Sequence, residues 1–250
     1  MKYLIGLDIG TSSTKAIAFD LLGNIISKSN IGYPILNPKP SWSEQDPDEM
    51  FEAVISSIKN VVNENANNGN ELLAISFSAA MHGIIAVNEK GKKLTDCIIW
   101  ADTRSTQVSE SIKNSEIGHK IYMRTGTPIH PMSPLCKITW MRDNMKEIFK
   151  NTSKFVSIKE YVFFKLFGKY VVDYSIASAT GLFDIYDLAW NKNSLEVAGI
   201  NEDKLSMPVP PTQIFKGMNK EYAYLMGIDV DTAFVIGASD GCLANLGANA

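Results

Sequence analysis

Residues 3–20, YLIGLDIGTSSTKAIAFD, hold two apolar runs separated by a break of glycine, threonine and serine. Tyr3–Ile9 is rich in branched apolar residues and reads as a buried strand. Gly10 to Ser13 reads as a tight turn, and Thr14–Asp20 as a second strand. Leu22-Gly23-Asn24 is a second turn, after which Ile25–Tyr33 supplies a third strand. Consecutive strands joined by such short turns predict an antiparallel meander.

Further along, the period changes. Asp46 suits a helix N-cap, Pro47 the first helical position and Glu49 a capping box. Phe51, Val54, Ile55, Ile58, Val61 and Val62 then recur at helical spacing. Strands are predicted at Leu72–Ser78, Ile84–Val87, Cys97–Trp100, Tyr170–Asp173, Leu182–Asp184 and Ala233–Ile236. Helices are predicted at Thr103–Lys113, Leu135–Asn144 and Ile158–Phe167, and a helix of small residues from near Cys242. Alternating strands and helices after an antiparallel start predict an α/β domain with a mixed central sheet.

The chemistry expected of the break at residues 10–13 is phosphate binding. Gly10 lets backbone approach a ligand closely, and the hydroxyls and amides of Thr11, Ser12 and Ser13 can donate to phosphate oxygens. Asp8 stands at the end of the preceding strand, where a carboxylate can hold Mg²⁺ through water, and Lys15 adds positive charge. Neither GxxxxGK[ST] nor GxGxxG occurs at this turn. A plain hairpin with an edge aspartate is the competing reading. A second strand-end carboxylate follows in Phe234-Val235-Ile236-Gly237-Ala238-Ser239-Asp240-Gly241. Small neighbours open room around Asp240, and a carboxylate beside a hydroxyl can take its proton as that oxygen attacks phosphorus. A helix N-cap is the other role open to Asp240, and the two are compatible.

The composition bounds the class. The chain has 250 residues, 45% hydrophobic and 20% charged, which suits a soluble globular protein. A formal charge of −3 gives no global field for nucleic acid or anionic membrane. The cysteines, Cys97, Cys136 and Cys242, are scattered without zinc spacing, which fits a reducing cytoplasm. Asp8 comes too early for a secretory signal, and no run of about 18 apolar residues predicts a membrane span.

Together these residues resemble the FGGY family of carbohydrate kinases, on the actin/hexokinase/Hsp70-like (ribonuclease H-like) ATPase fold. Gly6-Leu7-Asp8-Ile9-Gly10-Thr11 is similar to the family's first phosphate motif. Trp42-Ser43-Glu44-Gln45-Asp46-Pro47, Met81-His82-Gly83 and Trp100-Ala101-Asp102-Thr103-Arg104 resemble further family segments, the latter two those of its xylulokinase and gluconokinase branches. Asp240 falls where the family carries its catalytic base. The resemblance implies a two-domain enzyme with ATP and sugar in the cleft between the lobes. Residues 1–245 are then expected to form the N-terminal sugar- and phosphate-binding domain. Residues 246–250 would start the C-terminal ATP-binding domain, otherwise absent.

The resemblance also implies a sugar site. His82 can exchange hydrogen bonds with a hydroxyl, Gly83 opens room, Met81 reads as a wall, and Trp100 as core packing or a wall. Asp102 can accept from two sugar hydroxyls and Arg104 can bind a carboxylate, unless the two form a local pair at the helix start. His130, in the proline-rich loop Gly126–Pro134, can lean over the substrate, with loop scaffolding as its alternative, and Lys137 can supply charge. Ser157-Ile158-Lys159-Glu160-Tyr161 resembles a family segment that reads as structural. Glycerol kinases carry an Arg-Glu pair where this chain has Met81-His82, which argues against glycerol. Gly241, where xylulokinase-like members have asparagine, weakens xylulose. Gluconate is the first expected substrate, xylulose or a related pentulose the second, and a non-catalytic sugar-binding protein on the same fold the third. The expected small-molecule partners are the sugar or sugar acid, with ATP and Mg²⁺; no nucleic acid or membrane is expected, and a homodimer is left open.

Overall fold

Alternation along the first strand decides what the central sheet buries. In β1 (Lys2–Ile9), Tyr3, Ile5, Leu7 and Ile9 are all buried, while Lys2, Leu4, Gly6 and Asp8 form the other, more open face. The computed structural model describes residues 1–249. β1 pairs antiparallel with β2 (Ser13–Asp20), and β2 with β3 (Ile25–Gly32), so the predicted meander forms within a residue of its expected bounds.

The helix α1 (Pro47–Asn67) lies against the buried side of the meander through Met50, Phe51, Val54, Ile58 and Val61. Its cap differs from expectation. Asp46 accepts from the Asp48 amide at 2.8 Å and pairs with Lys93 at 2.6 Å, and exposed Glu49 forms no reciprocal box with it. β4 (Glu71–Ala79) adds parallel to β1, and β6 (Ala233–Ser239) adds parallel to β4, with the short β5 (Ile214–Phe215) at the edge. The order β5-β6-β4-β1-β2-β3 is a mixed six-stranded sheet, as the pattern predicts.

α2 (Ile158–Phe167) closes the core from the β4–β6 side, where Phe163 meets Phe77 and Phe215. A second apolar cluster, including Ile84, Ile98, Ile121, Leu135, Ile138 and Phe155, lies under helices Glu116–Thr125 and Pro134–Asn144 and carries the proline-rich loop. The chain then returns through α3 (Tyr174–Ser178) and β6 into α4 (Asp240–Gly247), which begins two residues earlier than expected. No helix among the described residues is long and apolar enough to cross a membrane.

Candidate active site

The turn between β1 and β2 has its carbonyls drawn away from its amides. The Tyr33 hydroxyl donates to Gly10 O at 2.6 Å, Gln45 Nε2 to Thr11 O at 2.6 Å, and the Tyr33 amide to Ser12 O at 3.3 Å. Gly10 N closes the turn onto Ser13 O at 3.1 Å. Among the described residues, the amides of Thr11 and Ser12 have no protein partner. A turn whose oxygens are occupied and whose N–H groups are free is a surface suited to an anion. Gly10 fits closely there, since a methyl on it would sit 3.2 Å from Ser13 O and 3.4 Å from Asp8 Oδ2.

The strand register brings Asp8 and the end of β6 to the same end of the sheet. Asp8 lies beside Ser78 of β4, whose hydroxyl donates to Asp8 Oδ1 at 2.8 Å. Ala238 lies beside Ser78 on the other side. Neighbouring strands are about 4.8 Å apart, so Asp8 and the end of β6 are about two strand spacings apart. Lys15 lies opposite Asp8 on β2, hence on the same face.

A bulge sets which face the end of β6 takes. Val235 pairs with Ser76 and Ala238 with Ser78, so β6 uses three steps where β4 uses two. Gly237 supplies the extra residue in the left-handed region, at φ +66°. Without it, the alternation that puts Val235 on the open face would carry Ala238 to the core face. With it, Ala238 shares the face of Ser78 and Asp8, and the chain turns at Ser239 into α4, whose first residue is Asp240.

Asp8 keeps Oδ2 free of protein hydrogen bonds, next to the open amides. Among the described residues no cluster of His, Cys, Asp or Glu could enclose a metal. One carboxylate oxygen beside a phosphate turn fits Mg²⁺, which keeps most of its waters and takes phosphate oxygens.

Met81-His82-Gly83 borders the same place. The methyl of Met81 lies 3.2 Å from where a side chain on Gly241 would begin, so this segment touches the turn bearing Asp240. His82 is held at φ +67°, a costly conformation for a non-glycine residue, and its carbonyl is pinned by Lys137 Nζ at 2.7 Å. His82 Nδ1 meets Ala179 O at 2.9 Å. A carbonyl only accepts, so Nδ1 carries the proton and Nε2 of the neutral ring is an acceptor. Burial, the largest influence, holds the His82 pKa below its ordinary 6.5; the bond to Ala179 and the charge of Asp240 act the other way.

Several expected contacts are disposed differently. Asp102 is fully buried, and its oxygens accept from the Ser43 amide and from the Arg104 amide and guanidinium. Arg104 continues to Glu44 at 2.6 Å and lies 3.6 Å over the Trp42 ring. The local pair that was the alternative therefore forms, as two charges out of water favour, while the buried Arg104 Nη1 has no partner among the described residues. Lys137 likewise gives its N–H groups to the carbonyls of His82, Ile98 and Ile99, and burial lowers its pKa to about 7. It ties the His82 segment to its neighbouring strand and has no donor left for a substrate. His130 is exposed, accepts from the Met132 amide at 3.2 Å, and lies within electrostatic reach of His82.

Trp100 is more than the wall expected of it. It is 49% exposed, and its Nε1 donates to Thr11 Oγ1 at 2.9 Å, so the indole stands against the phosphate turn. Ser78, Gln45 and Tyr33 brace Asp8 and the turn. Only Gln45 carried any sequence signal, through the Trp42–Pro47 resemblance.

The chain is similar to known carbohydrate kinases. The gluconokinase of Bacillus subtilis (strain 168) is 49% identical over 249 residues, covering 100% of this chain and 48% of that protein. The chain thus spans about half the length of the curated relatives it matches. The crystal structure of a ligand-bound xylulose kinase from Lactobacillus acidophilus superposes with a TM-score of 0.96 at 35% identity, over 100% of this chain and 50% of that one. A gluconate kinase from the same organism gives 0.95 at 35%, with the same coverage. The expected actin/hexokinase-like fold therefore holds, with one such domain present. Residues 3–247 match the family's N-terminal domain, and the chain belongs to the FGGY family of carbohydrate kinases.

Proposed function

We propose that the whole protein transfers the terminal phosphoryl group of ATP to a terminal hydroxyl of a small sugar acid, converting gluconate to 6-phosphogluconate. The observation that carries this reading is that Asp8 and Asp240 stand at the same end of the sheet, where β1 and β6 flank β4 at Ser78 and β6 passes into Asp240. The relative at 49% identity, named a gluconokinase, supports the choice of acid.

In this reading the sugar lies against Met81, His82 and Trp100, with its terminal hydroxyl at Asp240. Asp240 takes the hydroxyl proton as the oxygen attacks phosphorus. The amides and hydroxyls of Thr11, Ser12 and Ser13 receive phosphate oxygens, with Lys15 adding charge. Asp8 would hold Mg²⁺ through water, and the ion supplies charge balance to the phosphate oxygens. Asp102, Arg104 and Lys137 hold the Trp100 and His82 segments in place, and exposed His130 stands at the rim. Residues 1–245 form the sugar- and phosphate-binding domain and 246–250 begin the ATP-binding one; of these, Ala250 lies outside the described residues. The enzyme works in the cytoplasm.

Steady-state kinetics of the full-length enzyme on gluconate, xylulose, ribulose and glycerol test the assignment. Gluconate is expected to have the highest kcat/KM. Xylulose is the second reading, favoured by the near-equal fit of the xylulose kinase. A xylulose kcat/KM above that of gluconate would replace the first reading with the second.

His82 adds a pH signature. Its neutral Nε2 accepts from a sugar hydroxyl, and protonation removes that acceptor. Because its pKa is held below 6.5, sugar KM should stay flat as pH falls to 6.5 and rise only below it. KM measured against pH, with a His82→Gln variant lacking the acid-side rise, checks this. A rise beginning above 6.5 would exclude a neutral His82 as the acceptor.

A further inference from the structure

The peptide unit joining Ala238 to Ser239, one residue before Asp240, is gripped at both ends. Its carbonyl accepts from Lys159 Nζ at 2.8 Å, and its amide donates to Ser175 Oγ at 2.8 Å. Both anchors lead to one carboxylate. Asp173 Oδ2 accepts from Lys159 Nζ at 2.8 Å, and Asp173 Oδ1 accepts from the Ser175 hydroxyl. Asp173 is 0% exposed and Lys159 1%. A peptide unit is planar, so fixing its C=O and its N–H together fixes the orientation from which the next residue departs.

This grip falls where β6 has run past its edge-strand partner, while β4 still pairs with it through Ser239. The pairing of β5 with β6 covers only Phe234 and Val235. The amides of Ile236 and Gly237 go to loop carbonyls of Gln213 and Pro211. Gly237, the left-handed bulge residue, then leaves a pliant joint just before the peptide. A buried ion pair is a poor source of stability, since packed apolar residues often do as well or better. What charges offer here is direction.

We infer that Asp173, Lys159 and Ser175 are positioning residues that aim Asp240 at the acceptor hydroxyl. The inference rests on the proposed base role of Asp240. It adds that the segment beginning at Ser157, read from sequence as structural, acts on the reaction through Lys159.

Ser175→Ala in the full-length enzyme is the direct test, because it leaves the buried ion pair whole. It removes the support of the Ser239 amide, and misplacement of a reacting group by about 1 Å can cost about 100-fold. The expected result is a kcat lower by about tenfold or more, with both KM values within about twofold, and recovery in Ser175→Thr. Asp173→Asn, if it folds, should lower kcat further. A folded Ser175→Ala enzyme with wild-type kcat overturns the inference, as does a loss spread equally over kcat, KM and melting temperature. Asp240→Asn assayed alongside separates the two claims. Normal turnover there removes the base itself, whereas an inactive Asp240→Asn beside a fully active Ser175→Ala removes only the positioning role.

Discussion

Asp240→Asn in the full-length enzyme should lower kcat by about 10³-fold while leaving sugar affinity near the wild-type value. The substitution keeps shape and hydrogen bonding. Asp240 Oδ1 accepts from the Gly241 amide at 2.7 Å, and an asparagine oxygen can accept the same bond. What is lost is the ability to take a proton, and a positioned general base contributes about 10² to 10⁴ in rate. Sugar binding by calorimetry, set against kcat, separates the effects. An interaction realised only in the transition state lowers kcat and kcat/KM together. A variant that turns over within about tenfold of wild type would remove Asp240 from the base role. A variant that no longer binds sugar would make it chiefly a ligand for the hydroxyl.

The parts of this site that sequence reveals are those set by local pattern. Asp8 is legible because Tyr3, Ile5, Leu7 and Ile9 alternate cleanly up to a break rich in small hydroxyl residues. Asp240 is legible because small residues crowd a strand end. Asp102 and Arg104 are different. A carboxylate and a guanidinium two positions apart on a turn can face a substrate or each other. The choice was made by Glu44 and Trp42, about sixty positions earlier in the chain. Lys137 and Lys159 pose the same difficulty, since nothing local separates a lysine reaching into solvent from one buried against backbone carbonyls.

Elements were missed for a related reason. Lys192–Ala198 and Lys220–Met226 are too short to show an apolar period, yet each has an asparagine cap and ends in a left-handed glycine, Gly199 or Gly227. Those end signals were present without the periodic interior that normally draws attention to them. The last strand was read as ending at Ile236 because Gly237-Ala238 breaks the alternation. In the structure it runs to Ser239, and the break is the bulge itself. An interruption of pattern thus marked the feature that aims the candidate base.

Gly237→Ala should be the most damaging single-methyl substitution in the sheet. A β-carbon at this position would stand 1.8 Å from Phe77 O and 2.8 Å from Phe77 C. Those are backbone atoms of β4, so no side chain can swing aside; β4 and β6 would have to part in the middle of the sheet. The effect can be divided by comparison with Gly23, which has φ +87° and nothing within 4 Å of the added carbon. Gly23→Ala meets only the left-handed backbone penalty, about 1–2 kcal/mol. Gly237→Ala meets that penalty and the collision, and should exceed about 4 kcal/mol, the range reserved for severe core defects. Thermal unfolding of both variants in the full-length enzyme measures the difference directly. If the chain instead relieves the clash by abandoning the bulge, the end of β6 slips by one residue and α4, which opens with Asp240, leaves the sheet in another direction. A folded Gly237→Ala enzyme should then bind ATP but not phosphorylate sugar. Equal destabilisation in the two variants, with activity retained, would mean that β4 and β6 do not approach as closely as this register requires.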